Sequence, residues 1–262
     1  MSTRVADLAP LRAASSHLLR FRRAGQSTLL VASLNPLFVL GAMGLGLGSL
    51  IDDGSRASLG GVDYLSFLAP GLMAAFAMQG GAGESLWPVL GGFKWEGSYV
   101  AQATTPLRPV DVLLGQLWFV AIRIGIGTTM TFVAMLVLGA VESPWGVLAP
   151  PVALLTGLLY AALITAFSAT QQTDSAFPMI MRFGVIPSYL FSGTFFPVSQ
   201  LPDALEAFAK VTPLWHGVDL CRALSLGEAT VLGAIGHLAY LLALLLLAIA
   251  WGRHTFTRRL HA

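Results

Sequence analysis

From Phe183 to Pro202 the chain runs for 20 residues without a single charge, and it carries other apolar runs of similar or greater length. About 20 mostly apolar residues are what a helix needs to cross the hydrocarbon core of a bilayer. Such runs force the fold class, because lipid offers no partner to a bare backbone. Each crossing must therefore be helical or part of a closed barrel. No long alternating pattern points to a barrel. Composition agrees: 55% of the 262 residues are hydrophobic, only 11% are charged, and the mean hydropathy is +0.74. A soluble domain carries about 25% charged residues. The expected class is an all-α polytopic membrane protein, read as a single transmembrane domain over 1–262.

Six segments qualify as spans: 28–50, 65–83, 112–138, 147–169, 177–196 and 231–251. The first is longer than the apolar core of a cleaved leader, about 7–15 residues, so a retained span is expected there. With the N-terminus inside, the inner segments hold ten Lys and Arg and the outer segments three, leaving Arg123 and Arg182 aside within spans. Cytoplasmic segments carry the excess of basic residues, so both termini are expected in the cytoplasm.

Four regions depart from simple spans. Residues 1–26 place Leu8, Leu11, Leu18 and Leu19 on one helical face and Arg12, Arg20 and Arg23 on another. That pattern suits a helix lying in the membrane interface, with its arginines at anionic headgroups. The inner loop, 84–111, isolates FKWEGSYV between Pro88, Gly91-Gly92 and Pro106. Its Phe93, Lys94, Trp95, Glu96 and Tyr99 suit either docking on a soluble partner or anchoring at the interface. Glycines crowd the first two spans, at Gly41 to Gly48 and Gly80 to Gly83, and small residues let helices approach closely. After Pro197, the segment 197–230 holds two short helical stretches between prolines. Leu201, Leu205 and Phe208 share a side there, and the stretches are too short to cross, so a re-entrant outer lid is expected.

The missing chemistry narrows the function. The only two lysines, Lys94 and Lys210, do not follow a glycine, which excludes a P-loop. No H-E-x-x-H occurs, the lone Cys221 precludes an internal disulfide, and no metal site is implied. Among the histidines only His237 falls within a span, where a structural hydrogen bond is expected, and Asp174 is read as solvated. Asp52, Asp53 and Asp63 cluster outside without a nucleophile beside them. Arg123, near the middle of the third span, needs a polar partner or a wet pathway, because a charge at that depth is costly.

Three stretches resemble the integral-membrane subunit of ABC-2 type exporters. They are GVDYLSFLAPGLMA (61–74), EGSYVAQATTPLRPVDVLLGQ (96–116) and LFSGTFFPVSQLPDALEAFAKVTPLWHGVDLCRAL (190–224). The last is similar to the family's Leu-Ser-Gly-x-x-Phe-Pro…Leu-Pro…Pro-Leu-x-x-x-x-Asp-x-x-Arg signature, with Phe191 in place of the leucine. Within the family the chain most resembles the nodulation-factor (lipooligosaccharide) and daunorubicin-type drug exporter permeases. The resemblance implies a permease that exports an amphipathic substrate, a lipid-linked oligosaccharide, glycolipid or hydrophobic drug, from a bacterial inner membrane. It implies a second permease copy or paralogue and two separate ATP-binding cassette subunits. Those subunits would hold ATP and Mg, and this chain no cofactor. It makes Phe93, Lys94, Trp95, Glu96 and Tyr99 the coupling element. Phe195, Phe196, Pro197, Leu201, Leu205 and Phe208 become an outer gate. A polysaccharide exporter permease, an intramembrane lipid-modifying enzyme and a purely structural membrane subunit stay open as alternatives. No nucleic-acid partner is expected.

Overall fold

The computed structural model describes residues 38–47 and 61–261, which form helices joined by turns, with no strand among them. Leu40–Leu47 winds as a π-helix against the first long helix, and this is the described part of the expected first span. The expected interfacial helix at 1–26, with Arg12, Arg20 and Arg23, lies outside the described residues, as do Gly48, Asp52 and Asp53. Helices α1 (Tyr64–Gly83), α2 (Trp87–Lys94) and α3 (Ser98–Ala103) follow. Next come α4 (Pro109–Val137), a 3-10 turn at Pro144–Leu148 and α5 (Ala149–Ser168). The chain ends with α6 (Phe177–Phe191), α7 (Asp203–Val211), α8 (Pro213–Leu226) and α9 (Val231–Leu260).

Four of these stretches are long and apolar enough to cross a membrane: Tyr64–Lys94, Pro109–Val137, Pro144–Ser168 and Val231–Leu260. Helix α1 ends at Gly83, the expected end of the second span, and a turn at 84–86 joins it to α2. Pro88 sits in the first turn of α2, where its missing N–H costs no hydrogen bond. Two other ends differ. Helix α9 runs nine residues beyond 251, to Leu260. The fifth expected span, 177–196, is helical only to Phe191, about 22 Å at 1.5 Å per residue and short of a bilayer core.

Local signals set the ends. Asp63 caps α1, its carboxylate accepting from Leu65 N at 3.3 Å. Pro109 opens α4, where the Asp111 carboxylate accepts from Arg108 N at 2.9 Å. Thr230 caps α9, its hydroxyl accepting from Gly233 N at 3.2 Å.

Helix α5 is the hub, packed against α1, α2, α4, α8 and α9. Lipid tails give helices no hydrophobic reason to associate, so close backbone approach must supply the contact. It does so at one crossing. A Cβ on Gly157 would stand 2.5 Å from the Ala77 carbonyl oxygen of α1, and one on Gly81 would stand 2.2 Å from the Gly157 oxygen. The next residue back, Thr156, meets α8, where a Cβ on Gly217 would lie 2.2 Å from its hydroxyl. The Thr156-Gly157 pair thus seats two helices at once. The glycines expected to let helices approach include Gly81, which does. Gly80 and Gly83 are exposed.

Replacing Gly157 by Leu should push α1 and α5 apart. We expect a loss of stability at or above the roughly 1–3 kcal/mol of ordinary overpacking. The purified protein should melt earlier, whereas Gly83→Leu, with nothing within 4 Å of its Cβ, should melt like the wild type.

Candidate functional site

Two ends of the bundle carry polar structure. At one end, the expected coupling residues divide into anchors and exposed groups. Phe93 and Tyr99 are buried and meet Phe256 of α9, with ring centroids 4.9 to 5.8 Å apart. The Tyr99 hydroxyl lies 3.1 Å from Gln116 Oε1, and Gln116 Nε2 donates to the Glu84 carbonyl. A Cβ on Gly92 would meet the Tyr99 ring at 2.5 Å, so this glycine is a packing site rather than a breaker. Lys94 donates to the Gln172 carbonyl at 2.8 Å, tying α2 to the turn after α5. That turn also takes Arg259 Nη1, which donates to the carbonyls of Ser168, Ala169 and Gln171. Arg259 stacks over Phe93 at 4.4 Å as well. Asp174, read as solvated, also accepts from Trp87 Nε1 at 3.2 Å. Trp95, 60% exposed, and Glu96 stand on the turn between α2 and α3, just before Gly97 takes the left-handed conformation at φ +64°. A packed base thus presents two exposed side chains.

Arg123 finds an acid. Its Nη1 lies 2.6 Å from Glu84 Oε1, and both side chains are about one-quarter exposed. Glu84 caps the C-terminal end of α1 and Arg123 comes from the middle of α4, so the pair joins the two helices. Intramembrane charges normally pair and face the bundle interior or water. The pair and the exposed Gln79 make a polar stretch on α1 and α4 within an otherwise apolar surface.

At the other end the chain is broken rather than continuous. α6 stops at Phe191, and Gly193 exits in the left-handed conformation at φ +79°, which a residue with a Cβ adopts only under strain. Ser192, Gly193 and Thr194 are buried, with the Ser192 and Thr194 hydroxyls 2.9 Å apart. Irregular backbone at membrane depth survives only where protein satisfies it. Arg222 of α8 does this: Nη2 donates to the Gly193 carbonyl at 2.8 Å and Nε to the Phe67 carbonyl at 3.0 Å. Its guanidinium also covers the Phe67 ring at 3.7 Å. The two ends of the quoted signature, Ser-Gly and Asp-x-x-Arg, meet here in space.

Helices α7 and α8 form a helical hairpin. Glu142 N and Ser143 N both donate to the Ser225 carbonyl, which fixes the end of α8 at the loop before α5. From there α8 descends along α5: Cys221 Sγ donates to the Ala149 carbonyl, Gly217 meets Thr156, and the Leu214 backbone reaches the Tyr160 hydroxyl. Eleven residues of α5 separate the first and last contacts, so the Thr212-Pro213 tip sits about 16 Å deep. Tyr240 of α9 donates its hydroxyl to the Val211 carbonyl at the same tip. One turn above the tip, His216 Nδ1 and His237 Nδ1 are hydrogen-bonded at 2.9 Å, and His237 Nε2 is 3.2 Å from Asp219. The hydrogen bond expected for His237 is thus made.

Of the expected gate residues, Phe195 packs edge-on against Tyr189 at 5.1 Å, and Phe196, Pro197 and Leu201 are half-buried. Leu205 and Phe208 are exposed, because α7 buries only Ala209 within this chain. Arg222, Glu84, Gln116 and Thr156 escaped the sequence reading. Arg222 could have been found from the signature itself, since an arginine ending a short apolar helix must satisfy something.

Four membrane-capable helices, a shorter apolar helix that stops at Phe191 and a helical hairpin buttressed by α5 describe an all-helical membrane protein. Residues 13–226 match the ABC-2 type transporter family, and the chain belongs to it. It is similar to Nodulation protein J of Rhizobium leguminosarum bv. trifolii, 30% identical over 80% of this chain and 79% of that protein. The Nodulation protein J of Bradyrhizobium diazoefficiens is 30% identical over 79% and 78% of the two chains. That of Azorhizobium caulinodans is 24% identical over 88% and 89%.

Replacing Arg222 by Leu orphans the Gly193 carbonyl, a loss of about 1–3 kcal/mol. We expect a lower melting temperature and loss of transport. Arg222→Lys keeps the charge but reaches only one carbonyl and should fall between. A Leu variant as stable and active as the wild type would remove the strut.

Proposed function

We propose that this permease exports an amphipathic molecule, driven by a separate ATPase that docks at the Lys94 end of the bundle. The observation that carries the reading is the turn holding Trp95 and Glu96. Its base is locked by Phe93, Tyr99 and Phe256 into the core and by Lys94 onto the α5 end. A push on the turn is therefore transmitted to α4, α5 and α9 rather than absorbed locally. Interfaces concentrate energy in a few aromatic and charged residues, and exposed Trp95 next to Glu96 offers both kinds.

The Lys94 end is the cytoplasmic one in this reading. Lys94, Arg108, Arg253, Arg258 and Arg259 gather there, while the hairpin end has Lys210 and Arg222. Six crossings, with both termini inside, follow from the same asymmetry. The segment 1–26 would lie in the inner interface through Arg12, Arg20 and Arg23. Two ATP-binding cassette subunits, carrying ATP and Mg, would bind two permease copies or a copy and a paralogue. The hairpin α7–α8 then acts as the outer gate, with Leu205 and Phe208 turned toward lipid or the second copy. The Glu84–Arg123 pair and Gln79 would line a polar part of the pathway. The apolar character of the remaining surface suits an amphipathic cargo such as a lipooligosaccharide, glycolipid or hydrophobic drug. The similarity to Nodulation protein J puts the lipooligosaccharide first, and the membrane is a bacterial inner membrane.

Replacing Trp95 or Glu96 by Ala should leave insertion and melting unchanged, because both side chains are exposed. Copurified ATPase or export coupled to hydrolysis should fall severalfold. Full export with the ATPase fully bound in both variants would reject this turn as the coupling element.

A further inference from the structure

A cavity of about 630 Å³ opens at the Lys94 end, between α2, the turn after α5 and the last two turns of α9. Its charged lining is of one sign: Lys94, Arg258 and Arg259, joined by His254, with no Asp or Glu. Arg259 is fixed in place through its Nη1 bonds to the end of α5 and by the Phe93 ring, which forms part of the wall. Arg258 and His254 are exposed and make no hydrogen bond or ion pair with the described residues. Positive charge is thus held in a pocket that no carboxylate lines among the described residues.

The stripe of α9 that leads into this cavity changes character in order along the helix. Leu247 is 65% exposed, Trp251 is 41% exposed at the rim, and His254 and Arg258 follow at spacings of three and four. Residues so spaced share one helical face. The sequence of apolar side chain, tryptophan and cation along one face is the order of acyl chain, interface and headgroup in a lipid leaflet. Basic pockets between membrane helices bind anionic headgroups.

We propose that this cavity binds an anionic phospholipid, its phosphate against Arg258, Arg259 and Lys94 and one acyl chain along Trp251 and Leu247. Placing that lipid in the cytoplasmic leaflet rests on the orientation proposed above, but the site itself does not. An acidic segment of the ATPase could match the charge. It has no use for the apolar stripe, which runs from the cavity into the membrane rather than toward Trp95 and Glu96. A zwitterionic headgroup would bring an ammonium that finds no carboxylate in the lining.

The occupied site also has a structural consequence. A phosphate there would join α9 to α2 and to the turn after α5, the same three pieces that support the coupling turn. Lipid charge would then stiffen the base through which the ATPase acts.

The test uses the full chain in mixed micelles, with tryptophan fluorescence quenched by phosphatidylglycerol or phosphatidylcholine brominated on the acyl chains. The difference between wild type and Trp251→Phe isolates the quenching of Trp251. Phosphatidylglycerol should quench it at severalfold lower mole fraction than phosphatidylcholine. Arg258→Gln should raise the required mole fraction about fivefold, as expected for one basic residue at a membrane surface. Millimolar inorganic phosphate should leave the quenching unchanged. Equal quenching by the two lipids, or no effect of Arg258→Gln, would reduce the cavity to ordinary lipid contact and overturn the proposal. Displacement by inorganic phosphate would make it a free-anion site. Loss of quenching when the ATPase binds, reversed only by Arg258→Gln, would assign the charge to the partner protein. Either of these also overturns the lipid assignment.

Discussion

The backbone between Phe191 and Pro197 runs through an apolar bundle without helical hydrogen bonds, and Arg222 makes that possible. Each unsatisfied carbonyl in hydrocarbon costs several kcal/mol, so a broken span exists only if protein donors reach it. Arg222 brings two directed N–H groups to the carbonyls of Gly193 and Phe67 and lays its plane on the Phe67 ring. To do so it must be carried into the bundle. That requirement fixes α8 against α1 and α5, and with it the depth of the Thr212-Pro213 tip. Lysine could not serve equally, since its ammonium is a point charge without the planar fork.

Room for α8 comes from small residues on α5. Gly157 lets α1 approach until backbone meets backbone, and Thr156 beside it receives Gly217 of α8. A bundle with larger residues at these two glycines would hold α8 away from Phe67, and Arg222 would miss its acceptors. The α7–α8 hairpin is therefore a product of core geometry more than of its own sequence. Its own helix α7 leaves Leu205, Phe208 and Val211 uncovered. Movement of the hairpin would break few contacts made by α7 and many made by α8, which makes α7 the softer arm.

Much of the fold was legible in the sequence because hydrocarbon imposes a length and a polarity that are read locally. The bundle's long helices, the two short helices after Pro202 and the need of Arg123 for a partner all followed from that. The errors came where a local signal had a tertiary cause. Glu84 looked like the start of a solvated loop, yet its carboxylate answers Arg123, 39 positions away and invisible to any local pattern. Pro88 and Gly92 looked like breakers, whereas one occupies a first helical turn and the other makes space for the Tyr99 ring. Phe93 and Tyr99 suited an exposed docking surface by composition and proved to be buried anchors, leaving Trp95 and Glu96 outside. Composition distinguishes an aromatic that binds from one that packs only when its neighbours are known.

The central claim is that the chain from Pro202 to Leu226 enters and leaves the bundle on one side, opposite to the turn at Trp95 and Glu96. Single cysteines at Ala204, Glu228 and Ser98, in a Cys221→Ser background, measure it directly. A membrane-impermeant maleimide applied to intact cells and to inverted vesicles reports the side of each. The account predicts that Ala204 and Glu228 react from the same outer side, that Ser98 reacts only from within, and that a cysteine at Thr212 reacts from neither. Labelling of Ala204 and Glu228 from opposite sides would contradict it.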